Sequence, residues 1–282
     1  MDIEENHNKG LPLSVYEPTH GWLSPRLGEL WHYRELLYFL TWRDIKIRYK
    51  QTALGVAWAV LQPLITMVIF SVIFGQLAKL PSDGVPYPVF SYAALLPWGL
   101  FSGALQRAGT SLVTNSNLIT KVYFPRLVIP ISAVAAGLVD FVISFVVLLG
   151  LMLYYKITPT WMIFTIPLFV LLAVLTALAI SLWLSALNVQ YRDVQYMIPF
   201  LIQAWMYASP VAYSAGLIPT GPWRIIYGLN PLAGVIQGFR WALLGGNPPD
   251  ELMAISVFMV LLLLVSGLYY FRRMERTFAD VV

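Results

Sequence analysis

Apolar residues in this chain come in six long runs separated by short polar segments, at roughly 52–78, 88–106, 127–155, 161–187, 195–214 and 252–271. Most reach about 20 residues, and a helix of that length crosses a hydrocarbon layer ~30 Å thick. A soluble domain of this size could not hide so much continuous apolar surface. The pattern predicts an all-α, polytopic membrane protein with six transmembrane helices filling residues 52–271. Tails at 1–25 and 272–282 and an interface segment at 26–51 flank them.

Two segments depart from the long-run pattern. Residues 26–51 carry too much charge to span. On a helix, Leu27, Trp31, Tyr38, Trp42, Ile45 and Tyr49 fall within an arc of about 60°, with Lys46, His32, Lys50 and Arg43 on one flank. A basic helix with an aromatic stripe is expected in the headgroup layer, as an anchor or as a coupling element. Residues 215–250 are interrupted by Pro219, Gly221, Pro222, Gly228, Pro231 and Gly234. Their apolar runs are too short to cross, which predicts two short re-entrant helices on the outer side. Asn230-Pro231 makes the turn and starts the second of them, because proline suits a first helical turn.

Charge adds an orientation. Only 11% of residues are charged against 59% hydrophobic, and mean hydropathy is +0.70. Fourteen of the eighteen Lys and Arg precede the first run, lie between runs two and three (Arg107, Lys121, Arg126) or four and five (Arg192), or follow the last. The positive-inside rule then expects both termini in the cytoplasm. The net charge of +4 is spread as orientation signals rather than as a patch, so nucleic acid is not an expected partner. The first 25 residues show no apolar core of a signal peptide, and the first span is expected to act as its own insertion signal.

The chain has no cysteine and no G-x-x-x-x-G-K-[ST] phosphate loop, and its histidines (His7, His20, His32) all precede the first span. No catalytic, cofactor or metal residues are therefore expected. Asp140 is the exceptional acid, near the middle of the third run. It is read as packing against hydroxyls or amides, with a place in the translocation path or in ion coupling as alternatives. Aromatics supply flat apolar faces with polar handles, over which sugar rings could slide. Trp58, Tyr92, Trp98, Phe101, Trp205, Tyr207 and Tyr213 are the candidates for a channel wall. In the segment after the second run, Asn115 or Ser116 is expected to cap a short helix that Pro125 stops. Leu118, Lys121, Arg126 and an exposed pair, Tyr123 and Phe124, would then face a partner.

The runs WRDIKIRYKQTALGVAWAVLQPLITMVIFSVIFG (42–75), NSNLITKVYFPRLVIP (115–130), NVQYRDV (188–194), SPVAY (209–213) and LNPLAGVIQGFRWALLG (229–245) resemble the membrane subunits of ABC exporters for polysaccharides and polyol phosphates. The blocks stand in that family's order, and nothing carries over to the tail before Leu27. The resemblance implies a permease of the bacterial inner membrane that works as a homodimer with two copies of a separate ATPase subunit. It would move a lipid-linked glycan such as O-antigen, teichoic acid or capsule. ATP and magnesium would belong to the partner, and this chain would hold no cofactor and perform no chemistry. The loop after span two would dock on the ATPase. The outer-side helices, with Trp223, Asn230 and Pro231, would gate the exit. Two rivals are an ion-coupled secondary transporter of an amphipathic solute, which would need Asp140 as carrier, and a membrane glycosyltransferase, which would need a paired acid.

Overall fold

The computed structural model describes residues 27–50, 55–219, 221–246, 248 and 250–278, so the first tail lies outside the described residues. Among these residues the chain is helical, with no strand. Over the interface segment there are two helices, α1 (Leu27–His32) and α2 (Arg34–Lys50). The first run forms α3 (Gly55–Phe70), which continues as a wider π-helical turn over Ser71–Leu77. Next come α4 (Tyr87–Thr114) and the short α5 (Ser116–Lys121). The third run is α6 (Val128–Ala135) and α7 (Gly137–Tyr154), broken at Ala136. Then follow α8 (Ile166–Gln190), α9 (Val194–Ala208), α10 (Pro222–Gly228), α11 (Pro231–Leu244) and α12 (Glu251–Glu275).

Among the described residues, five stretches are long and apolar enough to cross a membrane: Ala57–Leu77, Tyr87–Thr114, Val128–Tyr154, Trp161–Gln190 and Glu251–Glu275. The run at 195–214 is helical only to Ala208, and α9 has 15 residues. That gives ~22 Å, short of a hydrocarbon core. The helix stops because Pro210 disfavours helical geometry at the residue before it, and Ser209 is extended at φ −107, ψ 151. The second run departs the other way. Its helix passes the expected end at 106 and runs to Thr114, so Arg107 lies inside a membrane helix and not in a loop.

The α4 helix is the central post. It packs on α3, α6, α7, α8, α9 and α11, and its most apolar window is 78% buried against 11% for the first span. Lipid offers no hydrophobic drive between helices, so close contact has to come from small residues. A Cβ on Gly238 of α11 would lie 2.0 Å from Phe169 Cε1, and one on Gly267 of α12 would lie 2.7 Å from the Ala179 carbonyl oxygen. The larger core, with Phe90, Phe101, Phe141 and Phe239, surrounds α4. A smaller core joins Leu40, Leu112, Ile119, Phe124, Phe271 and Phe278 at the end bearing α2 and α5, here termed the basic end.

Candidate functional site

At the basic end, α2 carries apolar residues on two opposite faces. Leu36, Leu37 and Leu40 pack into the smaller core, and Tyr38 and Trp42, about 160° around the helix from Leu40, are exposed. Of the stripe read from sequence, Trp31, Tyr38 and Trp42 face outward, whereas Ile45 and Tyr49 are half-buried, and the inward leucines make α2 part of the protein body. Short α5 follows α4 after Asn115. The Asn115 side chain does not cap α5. It accepts from Arg43 Nη2 at 2.9 Å and donates to the Ser111 carbonyl at 2.8 Å, joining α2 to the end of α4. The α5 helix ends at Lys121, with Val122 already extended, so Pro125 is not what stops it.

The expected exposed pair is split. Tyr123 is 72% exposed, whereas Phe124 is 2% exposed and buried in the smaller core. A phenyl ring has no polar handle, and the smaller core takes it. Leu118 is half-buried against the same core, and Lys121 is exposed. Arg126 donates Nη1 to the carbonyls of Val122 and Phe124, both at 3.0 Å, and its backbone N–H donates to Glu275 Oε1 at 3.0 Å. Glu275 Oε2 holds Arg272 at 3.0 Å. The loop is thus fastened to the last helix, and Lys121, Val122 and Tyr123 form its exposed edge.

Asp140 sits where three elements meet. It accepts from Arg48 Nη1 and Tyr49 Oη, both on α2, and Arg107 Nη1 of α4 lies 3.7 Å away. One expected hydroxyl partner is present, that of Tyr49, whereas the other two partners are arginines, so opposite charge lies beside the acid. Arg107 reaches it across glycines: a Cβ would meet its guanidinium at 2.5 Å from Gly137 and at 3.1 Å from Gly103. Burial, followed by the hydrogen bond to Asp140, pushes the Tyr49 phenol up to about 12, so it stays a donor at neutral pH.

At the opposite end, a row of aromatic contacts joins the second run to α11. Trp98 touches Phe101 at 5.7 Å between ring centroids, and Phe101 meets Trp205 edge-on at 5.4 Å. Trp205 Nε1 donates to Asn230 Oδ1 at 2.9 Å. Asn230 also caps α11 by accepting from Leu232 N, and donates to the Ala208 carbonyl and Ser209 Oγ, both at 3.0 Å. Pro231 occupies the first turn of α11, and Trp223 on α10 is exposed. Tyr213 donates to the Tyr207 carbonyl at 3.3 Å and accepts from Tyr227 at 3.0 Å.

Tyr92, Trp98 and Phe101 are buried within the chain, so in this arrangement they face no lumen. Trp58 and Tyr207 are exposed on α3 and α9. One residue was missed altogether. Arg240 of α11 is 8% exposed and donates to the carbonyls of Phe90 (3.2 Å), Tyr213 (3.0 Å) and Val211 (2.7 Å). Its guanidinium lies 3.5 Å from the centroid of the Phe90 ring. The available signal was a lone charge inside the apolar stretch VIQGFRWALL.

Residues 35–244 match the family model described as ABC-2 type transporter. The chain is 33% identical over 252 residues to the O-antigen export system permease protein RfbA of Myxococcus xanthus, covering 88% of this chain and 96% of that protein. Identity to a Klebsiella pneumoniae protein of the same name is 31% over 251 residues, covering 88% and 95%. The polysialic acid transport protein KpsM of Escherichia coli is 26% identical over 249 residues, covering 83% and 91%.

Proposed function

The chain belongs to the ABC-2 type transporter family, and from that premise we propose that it is the membrane subunit of an ATP-driven exporter of a lipid-linked polysaccharide. The observation that carries this reading is the end-to-end similarity to O-antigen export permeases. ATP and magnesium then bind a separate ATPase subunit, and this chain performs no hydrolysis. It resides in the bacterial inner membrane with both termini in the cytoplasm, and the basic end faces the ATPase. Two copies pair, each with its own ATPase. The path runs between them along exposed faces of α3 and α9, where Trp58 and Tyr207 stand. Helices α10 and α11 form the outer gate. The ion-coupled alternative finds no support at Asp140, whose carboxylate is engaged by two arginines and a phenol.

The test is export itself. Cells lacking this subunit should accumulate the lipid-linked glycan on the cytoplasmic side, and re-expression should restore its surface display only together with a functional ATPase. Display that continues when the ATPase is inactivated, and collapses with an uncoupler, would overturn the proposal.

A further inference from the structure

Helix α2 is fixed at two points belonging to different parts of the molecule. Arg43 holds Asn115, the residue between α4 and α5. Arg48 and Tyr49 hold the two carboxylate oxygens of Asp140 on α7. Five residues separate the fixings, ~7.5 Å along the helix axis. Just ahead of the first fixing, Leu40 rests in the core shared with Ile119 of α5. A single exposed ion pair constrains little. Two adjacent side chains gripping both oxygens of one carboxylate set the orientation of the helix end as well as its position.

The output side is equally specific. Asp140 pairs with Arg107 of α4, and Gly137 and Gly103 keep the channel that the Arg107 guanidinium occupies. The carboxylate is bound from both sides, by α2 and by α4. Drawing α2 away would strip two hydrogen bonds from a half-covered acid at membrane depth, so α7 follows α2 rather than parting from it.

We propose that α2 is a lever whose input is the Arg43–Asn115 contact and whose output is Asp140, a positioning residue that passes displacement of α5 to the second and third spans. The inference rests on the function proposed above. Its test uses Arg48→Gln with Tyr49→Phe in the full exporter complex, because this pair releases α2 while leaving Asp140 paired with Arg107. Amide hydrogen exchange over residues 42–50 should quicken at least ten-fold. Glycan exported per ATP hydrolysed should fall at least ten-fold in complexes that still assemble. Asp140→Asn should quicken exchange likewise and, because it also removes the pairing with Arg107, lower the export ratio at least as far; adding it to the α2 pair should quicken exchange no further, since the tie to α2 is already gone. Unchanged exchange means that the tie does not hold the helix. Faster exchange with an unchanged export ratio means that the tie transmits nothing. Either result overturns the proposal. Failure of the wild-type complex to export with ATP would instead overturn the underlying function, and the exchange measurement would still decide whether the tie exists.

Discussion

Arg240→Met isolates the knot at the end opposite the basic one. Methionine keeps the length and apolar stem of arginine and removes every donor. Three carbonyls, those of Phe90, Val211 and Tyr213, then lose their partner. Charge-assisted bonds of this kind contribute roughly 1.5–3 kcal/mol each, which sets a gross loss of about 4–9 kcal/mol. Against this, no carboxylate lies within salt-bridge distance of Arg240 among the described residues, and Asp83 acts on it only from further away. Removing a buried, unpaired cation returns several kcal/mol of desolvation. The expected net destabilisation is about 2–5 kcal/mol. At roughly 2–4 °C per kcal/mol for chains of a few hundred residues, the melting temperature in detergent should fall by about 4–20 °C. Exchange should rise first at 209–214, the non-helical segment that this arginine pins. Arg240→Lys should lie between the two, because an ammonium cannot reach three carbonyls in a fork. A methionine variant melting within 2 °C of the wild type, a margin set well inside that expected fall, would refute the view that these bonds hold α4, α11 and the end of α9 together.

The split of Tyr123 and Phe124 predicts unlike effects for neighbouring alanine substitutions. Phe124→Ala should cost about 3–5 kcal/mol of stability, read by thermal unfolding, whereas Tyr123→Ala should leave stability within ~0.5 kcal/mol and weaken co-purification of the ATPase. Gly238→Ala should lower the yield of folded protein on size-exclusion chromatography, because Phe169 Cε1 lies 2.0 Å from the new carbon, and overpacking a tight site costs roughly 1–3 kcal/mol or more. For topology, a cysteine at exposed Leu229 should react with an impermeant reagent added to intact cells, and one at exposed Asn117 should not; labelling at Asn117 would invert the orientation proposed here.

Much of the fold is legible because hydropathy needs no context. Four of the six runs correspond to long apolar helices with ends shifted by a few residues, since an apolar stretch of that length has no other place to go. The fifth and second runs mislead for local reasons. In the fifth, Pro210 sits after a residue that still counts as part of an apolar run, so hydropathy carries on where the backbone cannot. In the second, Gln106 and Arg107 lower the average although the helix continues for two more turns. The short helices near Pro222 and Pro231 are visible because proline at a first turn is a local signal, and Asn230 likewise caps by local geometry.

What stays hidden in the sequence is pairing. Read singly, Arg107, Asp140 and Arg240 are each a cost, and the natural response is to move the arginines into loops and give the acid neutral company. The fold resolves the cost by bringing Arg107 and Asp140 together from positions 33 residues apart, with Arg48 and Tyr49 arriving from a helix outside the runs altogether. No periodicity along the chain encodes that meeting. Its trace is the pair of glycines, Gly103 and Gly137, whose missing side chains become intelligible only once the guanidinium that fills their place is known. Phe124 follows the same logic in apolar form: an aromatic in a polar loop looks exposed until Leu40, from a segment that reads as a surface helix, is seen to share its core. The groups that join the basic end to the spans are thus the ones a single-residue reading assigns elsewhere, because each is stabilised only by the others.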